Sequence, residues 1–421
     1  MTRVTVVGGG PAGLMAADVI SSAGIHVTVF ERMPSVGRKL LMAGRGGLNL
    51  THNEELEAFL GRYGAARAFM QNVVGAFPPA ALCEMAAGLG QETFVGSSGR
   101  IFPRAMKASP LLRAWLVRLA QQGVEIRTRH RLTGFDESGA ACIAAGDSPP
   151  EAVAADAIVL ALGGGSWPRL GSDGTWVPWL DGLGISVKSL APSNVGVTIG
   201  WGAHFRDRFA GAPLKRIALA VDDVRMRGEA IVTRDGLEGG AVYAMTPAIR
   251  AALARRGSAS LAIDLRPDLS HADLMARLSR PRGKQSVSEW LRKTVHLAPV
   301  AIGLLREATA NALPGDAESL ARAIKAVTLS VVGMGALERA ISTAGGVALD
   351  EIDLGMMIKA RPGLFVAGEM LDWEAPTGGY LLQGCFATGY AAGNGVLRYL
   401  GRVPSNPELD VVSRGPSETR V

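Results

Sequence analysis

Three glycines and one carboxylate near the N-terminus have the spacing of a dinucleotide-binding turn. Gly8-x-Gly10-x-x-Gly13 follows a short apolar run, and Glu31 ends the next such run. In such a turn the first glycine permits a tight bend, the second lets the backbone approach a pyrophosphate, and the third lets helix and strand pack closely. Glu31 can accept both hydrogen bonds of a ribose diol, whereas its charge disfavours a 2′-phosphate. We therefore expect a dinucleotide at the start of a helix.

Two later glycine-rich segments match this turn only in part. Residues 163–165 (Gly-Gly-Gly) follow an apolar run, but no glycine stands at the later position that would correspond to Gly13. Residues 333–338 (Gly-Met-Gly-Ala-Leu-Glu) have glutamate at that position. The sequence therefore predicts no second dinucleotide site. A single nucleotide that stays bound favours FAD over NAD, and Gly163 is a candidate contact of that cofactor.

The turn requires a strand, a helix and a second strand to position it, and the hydrophobic pattern supplies all three. We predict a strand over residues 2–7, a helix that ends at Gly24, and a strand over 25–31. The pattern then predicts a glycine-rich loop over 32–52 and helices over 54–93 that are broken at Pro78-Pro79. A further helix follows over 110–122, and two strands follow over 125–131 and 157–162. From about residue 189 short strand-like runs replace this pattern. Helical periods follow over 266–325, then a strand over 364–367 and a helix to 398.

The composition is that of an ordinary globular protein with an excess of glycine. Of the 421 residues 48% are hydrophobic and 19% are charged, which excludes a disordered chain, and 54 are glycine. We interpret most of the dense glycine clusters as turns where the backbone approaches one ligand closely. The clusters lie at 8–13, 44–47, 163–165, 239–240, 345–346 and 378–384, and only the pair at 239–240 has no such interpretation.

Charge, cysteine and histidine patterns exclude several other classes of protein. The net charge of +6, from 44 basic and 38 acidic residues, is spread along the chain, which disfavours a nucleic-acid partner. Three cysteines without a CxxC pair and six histidines without metal-ligand spacing predict no disulfide framework, redox dithiol or metal site. Apolar runs are too short to span a membrane and no signal-peptide pattern is present. We therefore expect a soluble, cytoplasmic protein without a membrane partner.

The C-terminal motifs add a family resemblance to this picture. Residues 37–44 (Gly-Arg-Lys-Leu-Leu-Met-Ala-Gly), 99–103 (Gly-Arg-Ile-Phe-Pro), 368–372 (Gly-Glu-Met-Leu-Asp) and 377–384 (Thr-Gly-Gly-Tyr-Leu-Leu-Gln-Gly) accompany the N-terminal turn. Together they make residues 2–398 resemble the HI0933-like flavoproteins, within the glutathione-reductase-like superfamily. Residues 47–49 are Gly-Leu-Asn where family members often carry Arg-Cys-Asn, so no thiol role can be transferred to that loop.

The resemblance implies an α/β fold with a discontinuous, Rossmann-like FAD-binding domain over residues 1–188 and 340–403. It implies an inserted β-rich domain over 189–265 and 326–339, a small helical domain over 266–325, and a polar tail over 404–421. The implied FAD contacts, to which we add Gly163, are Gly8, Gly10, Pro11, Ala12, Gly13, Glu31, Arg32, Lys39, Asn49, Leu132, Gly368, Glu369, Asp372, Gly379, Tyr380 and Leu381. In such folds the helix that starts near Gly379 directs its N-terminus at the flavin, where its dipole stabilises negative charge.

The function implied is that of an FAD-dependent oxidoreductase. Hydride or electrons would pass through bound FAD to or from a small organic substrate, and NAD(P)H, bound transiently, or a protein donor would supply them. Two alternatives stay open: a tRNA-modifying flavoprotein, which the positive charge permits, and a non-catalytic FAD sensor. No catalytic residue is assigned. Donors or bases on the glycine-rich loops are Lys39, Arg45, His52, Arg104, Lys107 and Tyr380.

Overall fold

The structure is a computed structural model that describes residues 2–44 and 46–402. Arg45 and the polar tail predicted over 404–421 lie outside the described residues. The chain divides into two compact units. The first contains residues 2–191 and 344–402, and the second is Pro192–Thr343.

The helices and strands alternate along the first unit and return to it at the C-terminus. Up to residue 193 they are β1 Arg3–Val7, α1 Pro11–Ser22, β2 His26–Glu31, α2 Arg38–Ala43, β3 Thr51–His52, α3 Leu56–Gly61, α4 Arg67–Ala76, α5 Pro79–Gly88, β4 Thr93–Val95, β5 Arg100–Pro103, α6 Ala108–Gln121, β6 Glu125–Thr128, β7 His130–Phe135, β8 Ala141–Ala145, β9 Glu151–Val153, β10 Ala157–Leu160, α7 Val177–Gly182 and β11 Val187–Ser193. The second unit contains β12 Val197–Ile199, α8 Ala203–Phe209, β13 Pro213–Val221, β14 Val224–Val232, β15 Gly236–Glu238, α9 Gly240–Ala244, α10 Thr246–Arg256, β16 Ala259–Asp264, α11 His271–Leu278, α12 Val287–Thr294, α13 Pro299–Ala308, α14 Ala317–Lys325 and β17 Val327–Met334. The C-terminal elements are β18 Ser342–Val347, β19 Leu364–Val366 and α15 Tyr380–Tyr399.

A five-stranded parallel sheet in the order β19-β10-β1-β2-β6 is the core of the first unit. Its register aligns Val6 of β1 with Val29 of β2 and Val159 of β10, and all three side chains are fully buried. Runs of β-branched residues suit a strand that is covered on both faces. The carboxyl ends of β1, β2, β10 and β19 therefore share one edge, where ligands bind in open α/β sheets.

The first and last long helices pack closely behind this edge. A Cβ at Gly389 of α15 would stand 2.3 Å from the carbonyl oxygen of Ala12 in α1, and one at Gly393 would stand 2.7 Å from the Cβ of Val19. These two glycines let the backbones of α1 and α15 approach each other, which brings the C-terminal motifs to the N-terminal turn.

Two smaller sheets complete the first unit, in the orders β3-β5-β4 and β7-β8-β9, and β11 pairs with β18. The strand predicted over 125–131 is interrupted at Arg129, whose φ of +60° breaks it into β6 and β7. The loop predicted over 32–52 is wrong in part, because it contains α2 and β3. Its glycines flank α2: Gly37 precedes the helix with φ +68°, and Gly44 follows it.

A closed six-stranded barrel, in the order β12-β15-β14-β13-β16-β17, forms the centre of the second unit. The helices within residues 266–325 contribute Leu274, Leu291, Leu304 and Leu320 to the same hydrophobic core as the barrel strands. The segment predicted as a small helical domain thus shares one core with the β-rich segment. No helix within residues 2–44 and 46–402 is long and apolar enough to cross a membrane.

Candidate functional site

The three glycines of the N-terminal turn have different physical roles. Gly8 has φ +108°, and a Cβ there would lie 2.2 Å from the Ala161 carbonyl oxygen. A Cβ at Gly13 would lie 2.0 Å from the Gly8 carbonyl oxygen, so this glycine is needed for the helix to pack on the strand. A Cβ at Gly10 would meet no atom within 4 Å. Gly10 therefore borders open space, as expected where a ligand approaches the backbone.

The N-terminus of α1 is available to an anion. Gly10 precedes the helix in an extended conformation, Pro11 occupies its first turn, and no side chain caps it. The first turn contains no acidic residue. Its N–H groups and the helix dipole together favour a negatively charged group such as a phosphate.

Glu31 is fixed at the end of β2 by backbone donors. One carboxylate oxygen accepts from the Gly9 N–H at 2.9 Å, and the other accepts from the Met33 N–H at 2.8 Å. Burial raises the pKa of Glu31 above its ordinary value, although these hydrogen bonds and the charge of Arg32 oppose the shift. Each oxygen retains a lone pair, so the carboxylate can still accept from ribose hydroxyls.

Arg32 is held by a partner that sequence reasoning missed. Its guanidinium pairs with Asp173 at 2.5 Å and donates to the Pro168 carbonyl at 3.2 Å. Burial acts to raise the pKa of Asp173, but the hydrogen bonds from Arg32 and Thr175 and the charge of Arg32 together outweigh it and lower that pKa. The Nε atom of Arg32 is buried without a hydrogen-bond partner.

Three distant segments meet beside the N-terminal turn. The Lys39 ammonium group pairs with the Glu369 carboxylate at 2.5 Å and donates to the Ser166 hydroxyl at 3.0 Å. The Gly164 N–H lies 3.5 Å from the same carboxylate, and a Cβ at Gly163 would lie 3.9 Å from it. Lys39 and Glu369 were expected here, whereas Ser166 carries no motif that could have identified it.

The Gly-Glu turn after β19 packs against the start of α1. Gly368 has φ +83°, and a Cβ there would lie 2.9 Å from the Cβ of Ala12. Its N–H donates to the Thr388 hydroxyl at 3.0 Å, which ties the turn to α15. Asp372 follows on the same segment, and its N–H donates to the Val347 carbonyl at 2.9 Å.

The first turn of α15 is clamped onto β3 and the segment after it. Gly379 has φ +98°, and a Cβ there would lie 2.6 Å from backbone atoms of Thr51. The Tyr380 hydroxyl donates to Glu54 at 2.6 Å, and the Tyr63 hydroxyl donates to the Tyr380 carbonyl at 2.8 Å. Burial and the bond to Glu54 raise the pKa of Tyr380 far above its ordinary value. Tyr380 is therefore a neutral phenol, and Leu381 follows it on the helix.

Glu54 is a third partner that sequence reasoning missed. Arg62 holds this carboxylate with two donors, at 3.2 and 2.8 Å. Burial acts to raise the pKa of Glu54, but the bonds from Arg62 and Tyr380 outweigh it and lower that pKa. Thr51 is fixed in a similar way, since its hydroxyl donates to Gln383 at 2.8 Å. Gln383 lies within the Thr-Gly-Gly-Tyr-Leu-Leu-Gln-Gly motif, and this motif could have identified it as a residue of the site.

Asn49 and Leu132 were also expected to contact the cofactor. The neighbours of Asn49 are anchored, since the Leu48 and Leu50 N–H groups donate to the Met106 and Ile101 carbonyls at 2.9 and 2.8 Å. The Asn49 Oδ1 atom is buried without a partner. The Leu132 side chain is packed in the hydrophobic core of the first unit, so only its backbone can face a ligand.

The remaining donors on the glycine-rich loops differ in environment. The His52 ring stacks on the Tyr380 ring, with centroids 5.4 Å apart and planes at 19°. Arg104 forms an exposed pair with Glu92 at 2.9 Å, and Lys107 is exposed. Arg45 lies outside the described residues. Among the residues that the structure describes, no group of histidine, cysteine and acidic side chains could hold a metal ion.

Known proteins match this chain over nearly its whole length. The sequence model of the HI0933-like protein Rossmann domain matches residues 2–395. The chain belongs to the HI0933-like family. A 3-dehydro-bile acid delta(4,6)-reductase of Clostridium scindens is 28% identical over 411 residues, which are 93% of this chain and 98% of that protein. The resemblance inferred from the motifs is thereby confirmed.

Two solved structures share the fold of this HI0933-like protein. One is a 3-ketosteroid delta1-dehydrogenase from Sterolibacterium denitrificans, with a TM-score of 0.53 and 12% identity, covering 94% of this chain and 100% of that one. The other is a flavocytochrome c3 fumarate reductase in an open conformation, with a TM-score of 0.50 and 18% identity, covering 94% and 78%. The predicted α/β fold, with a Rossmann-like parallel sheet and an inserted β-rich region, is confirmed. The family and the Clostridium scindens relative support the predicted class, a flavin-dependent oxidoreductase.

Proposed function

We propose that this protein binds FAD along the carboxyl edge of its parallel sheet and uses it to reduce an apolar organic substrate. The observation that carries the proposal is the meeting of Lys39, Ser166 and Glu369 beside the open turn at Gly10. These residues come from three segments more than 100 residues apart. A cation and a carboxylate next to a free helix N-terminus suit a pyrophosphate joined to a hydroxylated chain.

The residues present fit FAD at each of its parts. Glu31 and Arg32 would hold the adenosine, and the first turn of α1 with Lys39 would bind the pyrophosphate. Glu369 and Asp372 would face the ribityl chain, and Asn49 and the start of α15 would face the ring system. The buried Nε of Arg32 and Oδ1 of Asn49 lack partners among the described residues, and a bound ligand would supply them.

FAD, when bound, supplies the hydride or electron transfer that no side chain in this region can supply. The chain positions it and sets the polarity around it. Backbone N–H groups at the start of α15 favour negative charge at their end of the helix. Burial raises the pKa of Cys385 to about 12, so this residue of α15 is a thiol rather than a nucleophilic thiolate at neutral pH.

For the substrate, we propose an apolar molecule with a carbon–carbon double bond conjugated to a carbonyl group. The support comes from the Clostridium scindens relative, which is named for the reduction of delta(4,6) bonds in a 3-dehydro-bile acid. Reduction adds a hydride to one carbon of the bond and a proton to the other. NAD(P)H, bound transiently, or a protein donor would supply the electrons.

The proposal is tested on the purified full-length protein in two stages. Acid denaturation of yellow protein should release FAD and no FMN, measured by chromatography. Anaerobic stopped-flow mixing with NADH, NADPH or a reducing flavoprotein should bleach the flavin absorbance, and conjugated enones should restore it. A colourless protein that cannot be reconstituted with FAD refutes the cofactor. An FAD-loaded protein that no donor reduces refutes the enzymatic role and favours the sensor.

A further inference from the structure

We infer that one face of the small β3-β5-β4 sheet recognises the substrate, and that it selects a long, flat apolar molecule carrying an anionic group. The inference rests on the proposed function, because it needs the flavin to lie at the start of α15. We call this surface the aromatic face, and it is formed by His52, Arg100, Phe102 and Phe94.

The strand register places these four side chains together. His52 of β3 is paired with Arg100 of β5, and Phe102 of β5 is paired with Phe94 of β4. Because side chains alternate along a strand, Arg100 and Phe102 are on the same face. Ile101 and its partner Thr51 are on the other face, where both are buried. This second face is buried at β3 and β5, whereas on β4 Val95, which is also paired with Ile101, is 52% exposed.

The half of the aromatic face formed by Phe94 and Phe102 is apolar. The Phe94 and Phe102 rings stack with centroids 5.8 Å apart and planes at 30°, and Phe94 is 38% exposed. Met106 is also 38% exposed, and a Cβ at Gly47 would lie 2.8 Å from its Cε and 3.7 Å from the Phe102 ring. An aromatic pair with one exposed ring, together with an exposed methionine, suits a flat apolar ligand.

The positively charged side chain of Arg100 lies beside this apolar patch. Arg100 is exposed, and its guanidinium forms no ion pair or hydrogen bond with any described residue. The nearby charges at Glu92 and Arg104 neutralise each other in their own pair at 2.9 Å. Arg100 therefore offers a planar donor to a carboxylate or sulfonate whose apolar body covers the phenylalanines.

The aromatic face continues to the site proposed for the flavin. His52 stacks on Tyr380, the first residue of α15, and is paired across the sheet with Arg100. Phe94 lies two strand spacings across the sheet and two residues along it from His52, a separation of about 12 Å. A ligand that reaches from Tyr380 to Phe94 must therefore be a long molecule of several rings. Its anionic group would be held between those ends, at Arg100.

The test measures binding rather than turnover, on the FAD-loaded full-length protein. Calorimetric titration compares 8-anilinonaphthalene-1-sulfonate with its uncharged counterpart N-phenyl-1-naphthylamine. We expect Arg100→Gln to weaken sulfonate binding by up to about fivefold and to leave the uncharged probe unchanged. Phe94→Ser should weaken both probes about tenfold. The matched control Val117→Ser, at an exposed position of α6 in the same unit, should change neither.

Three results overturn the inference. Equal effects of Arg100→Gln on both probes, or none, refute recognition of the anion. No effect of Phe94→Ser refutes the apolar contact. Conversion of a dimer to a monomer by Phe94→Ser in sedimentation shows that the face joins two copies of the chain. Flavin content, measured on every variant, separates these results from failure of the proposed function, which appears as wild-type protein that does not retain FAD.

Discussion

Replacing Gly10 by alanine should separate cofactor binding from folding. Gly10 has φ −83° and ψ −179°, an extended conformation that alanine adopts without strain, and its Cβ would meet no atom within 4 Å. The FAD-free variant should therefore be as stable as the wild type, or about 0.4–1 kcal/mol more stable, because alanine restricts the unfolded chain. In the FAD-bound protein the added methyl group would occupy the space proposed for the pyrophosphate.

The other two glycines of the turn provide matched controls. In Gly13→Ala the new Cβ would lie 2.0 Å from the Gly8 carbonyl oxygen, so the backbone must shift. In Gly8→Ala it would lie 2.2 Å from the Ala161 carbonyl oxygen, at a residue with φ +108°. Overpacking and the positive φ together predict a loss of about 2–5 kcal/mol in the free energy of unfolding for Gly8→Ala. These variants should be unstable even without FAD.

The expected size of the effect follows from linkage. FAD at 100 times its Kd stabilises the wild type by about 2.7 kcal/mol, and a 100-fold weaker variant gains only about 0.4 kcal/mol at the same concentration. A change of 1 kcal/mol shifts the Tm of a unit of this size by about 2–4 °C. Added FAD should therefore raise the Tm of stripped wild-type protein by about 5–11 °C and that of Gly10→Ala by about 1–2 °C.

Thermal unfolding of FAD-stripped protein, with and without added FAD, gives both the stability of the free protein and the stabilisation by FAD. An unchanged Tm without FAD, combined with a lost response to FAD, supports the assignment of Gly10 to the pyrophosphate. A full response to FAD would mean that no phosphate occupies the space beside Gly10. A large loss of stability without FAD would mean that the turn needs this glycine for packing. Either result would refute the reasoning.

Three further perturbations test other parts of the site. Lys39→Gln should weaken FAD binding by at least about tenfold in equilibrium dialysis, because a partly buried charge-assisted contact is lost, whereas the exposed pair of Arg67 makes Arg67→Gln a neutral control. Burial raises the pKa of Glu31 above 4.5, so FAD affinity should fall as the pH drops through that raised value, and Glu31→Gln should abolish this dependence. Tyr380→Phe should lower the free energy of unfolding in urea by about 1–2 kcal/mol, because Glu54 loses a donor at 2.6 Å.

The sequence predicted the parallel sheet well because its strands are short, apolar and bounded by glycine. It predicted β1, α1 and β2 within one or two residues, since the spacing of the dinucleotide-binding turn constrains all three elements. The prediction over 32–52 was wrong in part, because glycine was interpreted as a loop signal although Gly37 and Gly44 flank a helix. It also missed the break at Arg129, because arginine gives no signal for a positive φ.

The candidate site shows which contacts a sequence cannot reveal. Motifs identified one member of each pair, such as Arg32, Lys39 and Tyr380, because motifs preserve residues at fixed positions along the chain. The partners Asp173, Ser166 and Glu54 lie in segments without a motif, and only the fold brings them together. The assignment of all these residues to FAD stays a prediction.

The glycine excess is where the structure changes the interpretation most. A Cβ at Gly345 would lie 2.2 Å from the Ser189 carbonyl oxygen, and one at Gly346 would lie 2.4 Å from that of Met370. At Gly389 the neighbour is the Ala12 carbonyl oxygen at 2.3 Å. Glycine at these positions lets one backbone segment pack on another, whereas at Gly10 it leaves space. Both requirements select the same residue, so composition alone cannot distinguish them. Glycine at positions 345, 346 and 389 therefore serves packing, and of Gly8, Gly10 and Gly13 only Gly10 leaves space, which we propose a ligand fills.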